Sequence, residues 1–310
     1  MIIRTPTQSD PAQANNLAAG IDGCFMDASV PDRNEPGRFR RTFVAALHDQ
    51  VVGIGVIFRN WLHPLRLTVD VVVAPDHRRT GIGTALLDRL VAAIPTGDAR
   101  SLKAACWNDD EASEAFWRSH RFAPIMRTDI GTIDVTQACT VASAEIPADG
   151  ITIVSGDQIS QKDSLWDEIA QLHDRVYRAN HEWSPPTPID LPLARQVFLD
   201  PDDLIPEALV VALRDDRPFA MASLRALTSE GTCELGWAGG DPTSGQEGFR
   251  VARILVAHCL ALARERGWAV GVEADQADPI LQDVVKQWPL RDHRIWVNYG
   301  RREQEDLLSV

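Results

Sequence analysis

Residues Val71–Leu90 read VVVAPDHRRTGIGTALLDRL. Three valines form a buried strand, and Pro75 interrupts its hydrogen-bond ladder. Arg78-x-x-Gly81-x-Gly83 follows, and a helix beginning near Thr80 carries apolar residues at Ala85, Leu86, Leu90, Val91 and Ile94. Spacing of three and four residues gives that helix one buried face. The first amides of a helix have no internal partners and carry about half a positive charge, so they attract anions. Glycine there costs up to ~1 kcal/mol relative to alanine, but leaves no side chain over the amides. The arginine pair adds charge-assisted contacts to phosphate. Strand, basic pair, glycines and helix start together predict an anion site on the amides of residues 79–84. It is not a P-loop, because no Lys-Ser/Thr follows the second glycine. It is not a dinucleotide fingerprint, because Leu86 stands at the third glycine position.

The chain also repeats itself. FVAALHDQVVGIGVIF (Phe43–Phe58) and LVVALRDDRPFAMASL (Leu209–Leu224) each read as strand, short polar turn, strand. An Ala-Leu pair recurs at 46–47 and 212–213, and a strand-ending proline at 75 and 242, so two features share an offset of 166–167 residues. Each copy opens with a strand (Ile2–Thr5, Ile151–Val154). After the hairpin and proline comes an amphipathic helix, which in the second copy carries Val251, Ile254, Leu255, Cys259 and Leu262. A further strand (Leu102–Cys106, Ala269–Glu273), a helix and a closing strand complete each copy. We therefore expect domains at 1–143 and 151–310, joined by a polar linker at 144–150. The proline-rich insertion HEWSPPTPIDLP (His181–Pro192) is expected to be a loop over one face of the second copy.

Bulk properties narrow the function. A formal net charge of −13 repels nucleic acid and anionic membrane, so neither is an expected partner; it favours a cationic amine if it favours any substrate. The opening MIIRTPTQSDP has no basic segment before an apolar one, and no apolar run is long enough to span a bilayer. Five scattered cysteines without a Cys-x-x-Cys pair argue against a disulfide framework or zinc site and for a reducing, cytoplasmic setting; no metal is expected.

VAPDHRRTGIGTALLDRL resembles motif A of the GCN5-related N-acetyltransferases (GNAT), (Gln/Arg)-x-x-Gly-x-(Gly/Ala) after a strand, with Arg78, Gly81 and Gly83 at matching places. WNDDEASEAFWRSHRF (Trp107–Phe122) resembles the family's later Asn…Ala…Phe-Tyr…Gly-Phe segment through Asn108, Ala115, Phe116, Trp117 and Phe122. The resemblance implies an α/β (α+β) fold of two tandem GNAT-like domains, each a mixed, largely antiparallel sheet flanked by helices. It implies that the amides of Arg79, Thr80, Gly81, Ile82, Gly83 and Thr84, with Arg78, hold the pyrophosphate of acetyl-CoA. Val71, Val72 and Val73 would pair with the pantetheine arm, and Asn108 and Trp117 would lie beside the cosubstrate. The implied activity is transfer of an acetyl or short acyl group to a primary amine of a small molecule or peptide by direct attack. An acyl-CoA sensor or scaffold without turnover is the alternative.

The pattern breaks in two places. Trp117 occupies the position where the family commonly has a tyrosine acid, and an indole cannot supply that proton. Both tyrosines, Tyr177 and Tyr299, fall in the second copy of the repeat. Asp70 is the first candidate for the base that frees the amine; His63 and His120 are weaker ones. Cys106 reads as a small buried residue. In the second copy the turn reads DPTSGQEGFRVARIL: Gly245 stands at the Arg78 position, Gly248 at Gly81 and Arg250 at Gly83, while Glu247 adds negative charge. That copy is expected to bind a diphosphate weakly or not at all. Trp183, Trp237 and the insertion are expected to pack between copies or to wall an acceptor pocket.

Overall fold

The computed structural model describes residues 1–23, 26–35, 37–96, 101–136, 150–160, 164–227 and 229–301. Its hairpins show why the repeat folds as it does. Strands β3 (Arg38–Leu47) and β4 (Gln50–Arg59) pair from Leu47↔Gln50 around the turn His48–Asp49, with His48 at φ 54°. Strands β9 (Leu204–Arg214) and β10 (Arg217–Ala226) pair from Arg214↔Arg217, with Asp215 and Asp216 at φ 49° and 60°. Two-residue hairpin turns need left-handed central residues to match the strand twist, and aspartate tolerates that backbone better than most side chains.

Compactness divides the chain differently from the repeat. One unit gathers Met1–Ile125, Ser184–Thr187 and the stretch from Val297; the other gathers Met126–Trp183 and Pro188–Trp296. The linker expected at 144–150 lies outside the described residues except for Gly150.

In the first unit β1 (Ile2–Arg4) pairs with β3, β3 with β4, and β4 with β5 (Leu67–Val73), all antiparallel. Strand β5 runs parallel to β6 (Leu102–Trp107). The end of β14 (Leu290–Arg301) lies beside β6, and the short β2 (Arg33–Glu35) pairs with the start of β3. Helix α1 (Asp10–Ala19) covers one face, its Ala14 and Ala18 packing with Val44, Ile54, Val56 and Val72. Helix α2 (Ile82–Ala92) covers the other face. Gly53 and Gly55 point there, and a side chain at Gly55 would meet Leu90 Cδ1 at 2.8 Å. Leu86, Leu87 and Leu90 are fully buried, each contributing about 1.5–3 kcal/mol of apolar burial. Helix α3 (Glu111–Ser119) follows β6, capped by Asp110, whose carboxylate accepts from the Ser113 amide at 3.0 Å.

In the second unit β8 (Ile151–Ser155) pairs antiparallel with β9, β9 with β10, and β10 with β11 (Thr232–Leu235). Strand β11 runs parallel to β13 (Ala269–Asp275), which pairs antiparallel with β7 (Ala123–Ile133) through Thr128–Ile133. Two residues, Gly239–Gly240, form β12 against β10. The helices are α4 (Leu165–Asn180), α5 (Leu191–Phe198), α6 (Gly245–Arg266) and α7 (Pro279–Gln287). The insertion is irregular through Asp190, and its last two residues begin α5.

Two placements depart from what the residues led us to expect. Helix α2 starts at Ile82, not near Thr80, because Gly81 takes φ 86° as its N-cap. Tyr299 belongs to the first unit, because the end of β14 completes that unit's sheet. Cys106, Cys233 and Cys259 are buried free thiols. Among the described residues no helix is long and apolar enough to cross a membrane.

Candidate active site

Strands β5 and β6 are paired only at their starts, through Leu67↔Leu102 and Thr68↔Lys103. Both continue, to Val73 and Trp107, so from Val69 onward they form a fork that, among the described residues, is not paired across. Main-chain groups inside such a fork are open to hydrogen bonding by a ligand. Val71, Val72 and Val73 lie on its β5 arm.

The mouth of the fork leads to the glycine turn. Beyond Val73, Ala74 donates to Val52 O at 2.9 Å and Pro75–His77 makes one tight turn. Arg78 folds back, its Nε donating to Val73 O at 3.1 Å, and Thr80 Oγ1 caps His77 O at 2.6 Å. Arg79 and Gly81 have left-handed backbones, at φ 62° and 86°. The first bond of α2 runs from the Ala85 amide to Gly81 O at 3.0 Å. The amides of Arg79, Thr80, Gly81, Ile82, Gly83 and Thr84 have no acceptor among the described residues, and Arg79, Thr80 and Gly81 are exposed. Gly81 is glycine because of its φ, with open space around it. Gly83 is glycine for a different reason: a methyl there would stand 3.1 Å from Phe116 Cε2 of α3. Its role is to let α3 close against the start of α2, which spacing alone did not reveal.

Asp70 lies at the crotch of the fork. Burial pushes its carboxyl up to about 6, opposed by the positive fields of Lys103 and Arg40. A carboxylate in that range accepts protons near neutrality far better than an ordinary aspartate. The weaker candidates are engaged elsewhere. His63 Nδ1 meets Ser184 O at 2.5 Å, where the insertion docks through Thr187 N to Leu62 O at 2.6 Å. His120 Nδ1 meets Phe116 O at 2.8 Å.

Trp117 is enclosed (4% exposed), packed on Phe116 and Phe122 with ring centroids 4.9 and 5.1 Å away. Asn108 is exposed in the turn between β6 and α3. Arg121 takes φ 65° where the resembled segment has glycine. Tyr299 lies beside the Cys106 thiol; burial pushes the phenol up to about 12 and the thiol up to about 11, so both stay neutral.

The second unit preserves the outline and loses the turn. Helix α6 starts at Gly245, so the glycines matching the first unit's turn lie within its first turn. Gly248 is buried, and a side chain at Gly240 would stand 2.5 Å from its Cα. Glu247 pairs with Arg214, and Asp241 with Arg175 at 2.8 Å. A cavity of about 370 Å³ remains, lined among others by Val176, Asn180, Gly240, Asp241, Gln246 and Phe249. Among the described residues its lining includes no lysine or arginine, so it offers a diphosphate no charge-assisted side-chain contact. Trp237 packs within this unit, against Tyr177 at 4.8 Å and Phe198 at 6.0 Å between ring centroids, and Trp183 stacks near His181 at 6.4 Å.

Comparison with known proteins bears on the family and the fold. Residues 17–122 match the model of the acetyltransferase (GNAT) family. A GCN5-related N-acetyltransferase from Sphaerobacter thermophilus superposes with TM-score 0.61 at 16% identity, covering 97% of this chain and 95% of that one. A tandem GNAT protein from the clavulanic acid biosynthesis pathway gives TM-score 0.60 at 16% identity, covering 96% and 98%. A GNAT-family acetyltransferase from Colwellia psychrerythraea gives 0.54 at 12% identity, covering 97% and 100%. At these identities the likeness establishes fold. No curated protein matches the chain.

Proposed function

We propose that this chain is a tandem protein of the GNAT acetyltransferase family, whose model its residues 17–122 match, and that its first unit transfers an acetyl group from acetyl-CoA to a primary amine, by direct attack and without a covalent enzyme intermediate. The observation that carries this reading is the joining of the β5/β6 fork to the six unpartnered amides of residues 79–84. An extended arm ending in a diphosphate has that shape and charge. Arg78 and Arg79 flank the amides and add charge-assisted contacts. Gly81 leaves its amide uncovered, and the start of α2 contributes its dipole.

The cosubstrate supplies an acyl carbon already activated as a thioester. The chain's own residues do the rest. Asp70 takes a proton from the acceptor ammonium, exposing the nitrogen lone pair at the crotch of the fork. Main-chain amides along β5 orient and polarise the acyl oxygen. The N–C bond forms, the C–S bond breaks, the nitrogen releases its second proton to water, and the departing sulfur leaves as a thiolate. Its conjugate thiol has a pKa near ~8.5, so water is a sufficient proton source and Trp117 need not serve. The second unit, with its turn absorbed into α6, is a scaffold that binds no diphosphate.

Thiol release from acetyl-CoA over a panel of amines tests the reading. Release that falls about 10²–10⁴-fold in Asp70→Asn supports it. Tight acetyl-CoA binding with no release for any amine would make the protein a sensor instead.

A further inference from the structure

The α1-side face of the first unit carries more polar chemistry than a base alone requires. Strand register sets it out in two rows. Thr42↔Val56↔Asp70 forms one row, and Arg40↔Phe58↔Thr68↔Lys103 forms the next, two residues along the strands. Residues two apart on a strand share a face, so Asp70 stands diagonally between two cations. Helix α1 packs over the Val44, Ile54 and Val72 end, whereas Arg40, Thr68 and Lys103 are only partly buried.

Two groups in these rows lack a partner among the described residues. Thr42 is 2% exposed and its Oγ1 bonds to nothing; the Arg40 Nε is likewise buried and unbonded. Arg40 is held in place by donation from Nη2 to Asp27 O at 2.6 Å and by lying 5.8 Å over the Phe58 ring. Asp27 and Asp32 lie within its field, but the Asp27 carboxylate is engaged by Asn15 at 3.1 Å and Ser29 at 2.6 Å. Buried polar groups without partners are uncommon in native proteins and ask what satisfies them. Arg40 and Lys103 share these rows with Asp70, and Asp27, Asp32 and Arg33 also act on Arg40, so the face sets cations beside acids and suits a small ligand that carries both signs.

We infer that the acceptor is a zwitterion: its amine meets Asp70, and a carboxylate on the same small molecule lies toward Arg40 and Lys103, within reach of the Thr42 hydroxyl. This rests on the acetyl-transfer reading and narrows it to amino acids and related amino carboxylates. The ammonium gives one proton to Asp70, the nitrogen forms the amide bond as the C–S bond breaks, and the second proton of the nitrogen passes through water to the departing thiolate. The carboxylate takes no part in the chemistry and serves only to hold the acceptor through charge-assisted contacts.

The test compares matched acceptors on the unmodified full-length protein by thiol release: free amino acids, their carboxamides, and the corresponding decarboxylated amines. A kcat/KM higher by about 10- to 100-fold for the free amino acids supports the inference, because neutralising the carboxylate removes charge-assisted bonds. In Arg40→Gln the same ratio shrinks toward one, mostly through KM. Equal turnover of carboxylate, carboxamide and decarboxylated amines overturns the zwitterion and leaves acetyl transfer standing. Absence of release with every acceptor overturns the acetyl-transfer reading, and this inference with it.

Discussion

Tyr299 and Cys106 are neighbours within the first unit, although Tyr299 lies on the last strand among the described residues. Tyr299 is 1% exposed, so the C-terminal strand is part of that unit's core. Tyr299→Ala is predicted to destabilise the unit by about 3–5 kcal/mol, as for other large-to-small core changes. Tyr299→Phe keeps the ring and is predicted to cost about 1 kcal/mol, with kcat unchanged. Urea unfolding of the three proteins, alongside initial rates, checks both.

Asp70 links activity to stability with opposite signs. Its carboxyl is raised to about 6 in the fold, so the folded protein binds a proton more tightly there than the unfolded chain does. Stability from this group is therefore present below the ordinary aspartate range and declines as pH rises through about 6. Over the same interval activity is predicted to rise to a plateau, because the ionised form is the base. Asp70→Asn should raise the Tm at pH 8 but not at pH 4, while removing the activity limb near 6. A kcat/KM profile and melting curves at the two pH values decide it.

Asp10 behaves in the reverse manner. Its carboxylate accepts from Arg4 at 2.5 Å and from the Thr7 amide and hydroxyl at 2.5 and 2.6 Å, and these bonds hold its pKa well below the usual range. The stability they provide is complete above the unfolded value, near ~3.9, and is lost as pH falls through the lower folded value. Asp10→Asn is predicted to cost about 1–3 kcal/mol at pH 7, a difference that narrows below pH 3. Denaturant titrations across that range measure it.

Gly81 and Gly83 are predicted to fail differently. Gly81→Ala forces a side chain to φ 86°, at about 1–2 kcal/mol, with free space around the methyl. Its effect on acetyl-CoA affinity should be modest, within about tenfold. Gly83→Glu sets a bulky anion against Phe116 and among the diphosphate amides, and should abolish binding. Melting temperature and acetyl-CoA affinity, measured together on each variant, separate strain from site loss.

Much of this was legible locally. The hairpin turns at His48 and Asp215–Asp216, the proline-terminated strands and the apolar faces of α2 and α6 announce themselves within a few residues, because turn chemistry and periodicity are local properties. What was not legible depends on distant contacts. Nothing near Tyr299 says that its strand completes the first unit, since pairing partners far apart in the chain leave no local mark. The glycine at 83 reads as a ligand clearance until Phe116 is seen facing it. The second unit's turn looks degraded in sequence, but its absorption into α6 depends on how closely Gly240 and Gly248 meet. The polar rows around Asp70 emerge only from register, because Arg40, Thr42 and Lys103 lie on strands that no short motif connects.

The central claim concerns the open amides at residues 79–84, and calorimetric titration of acetyl-CoA into the intact protein tests it most directly. The account predicts one site per chain, lost in Gly83→Glu and retained in Arg250→Glu. Two equivalent sites, or a single site that survives Gly83→Glu and disappears in Arg250→Glu, would contradict it.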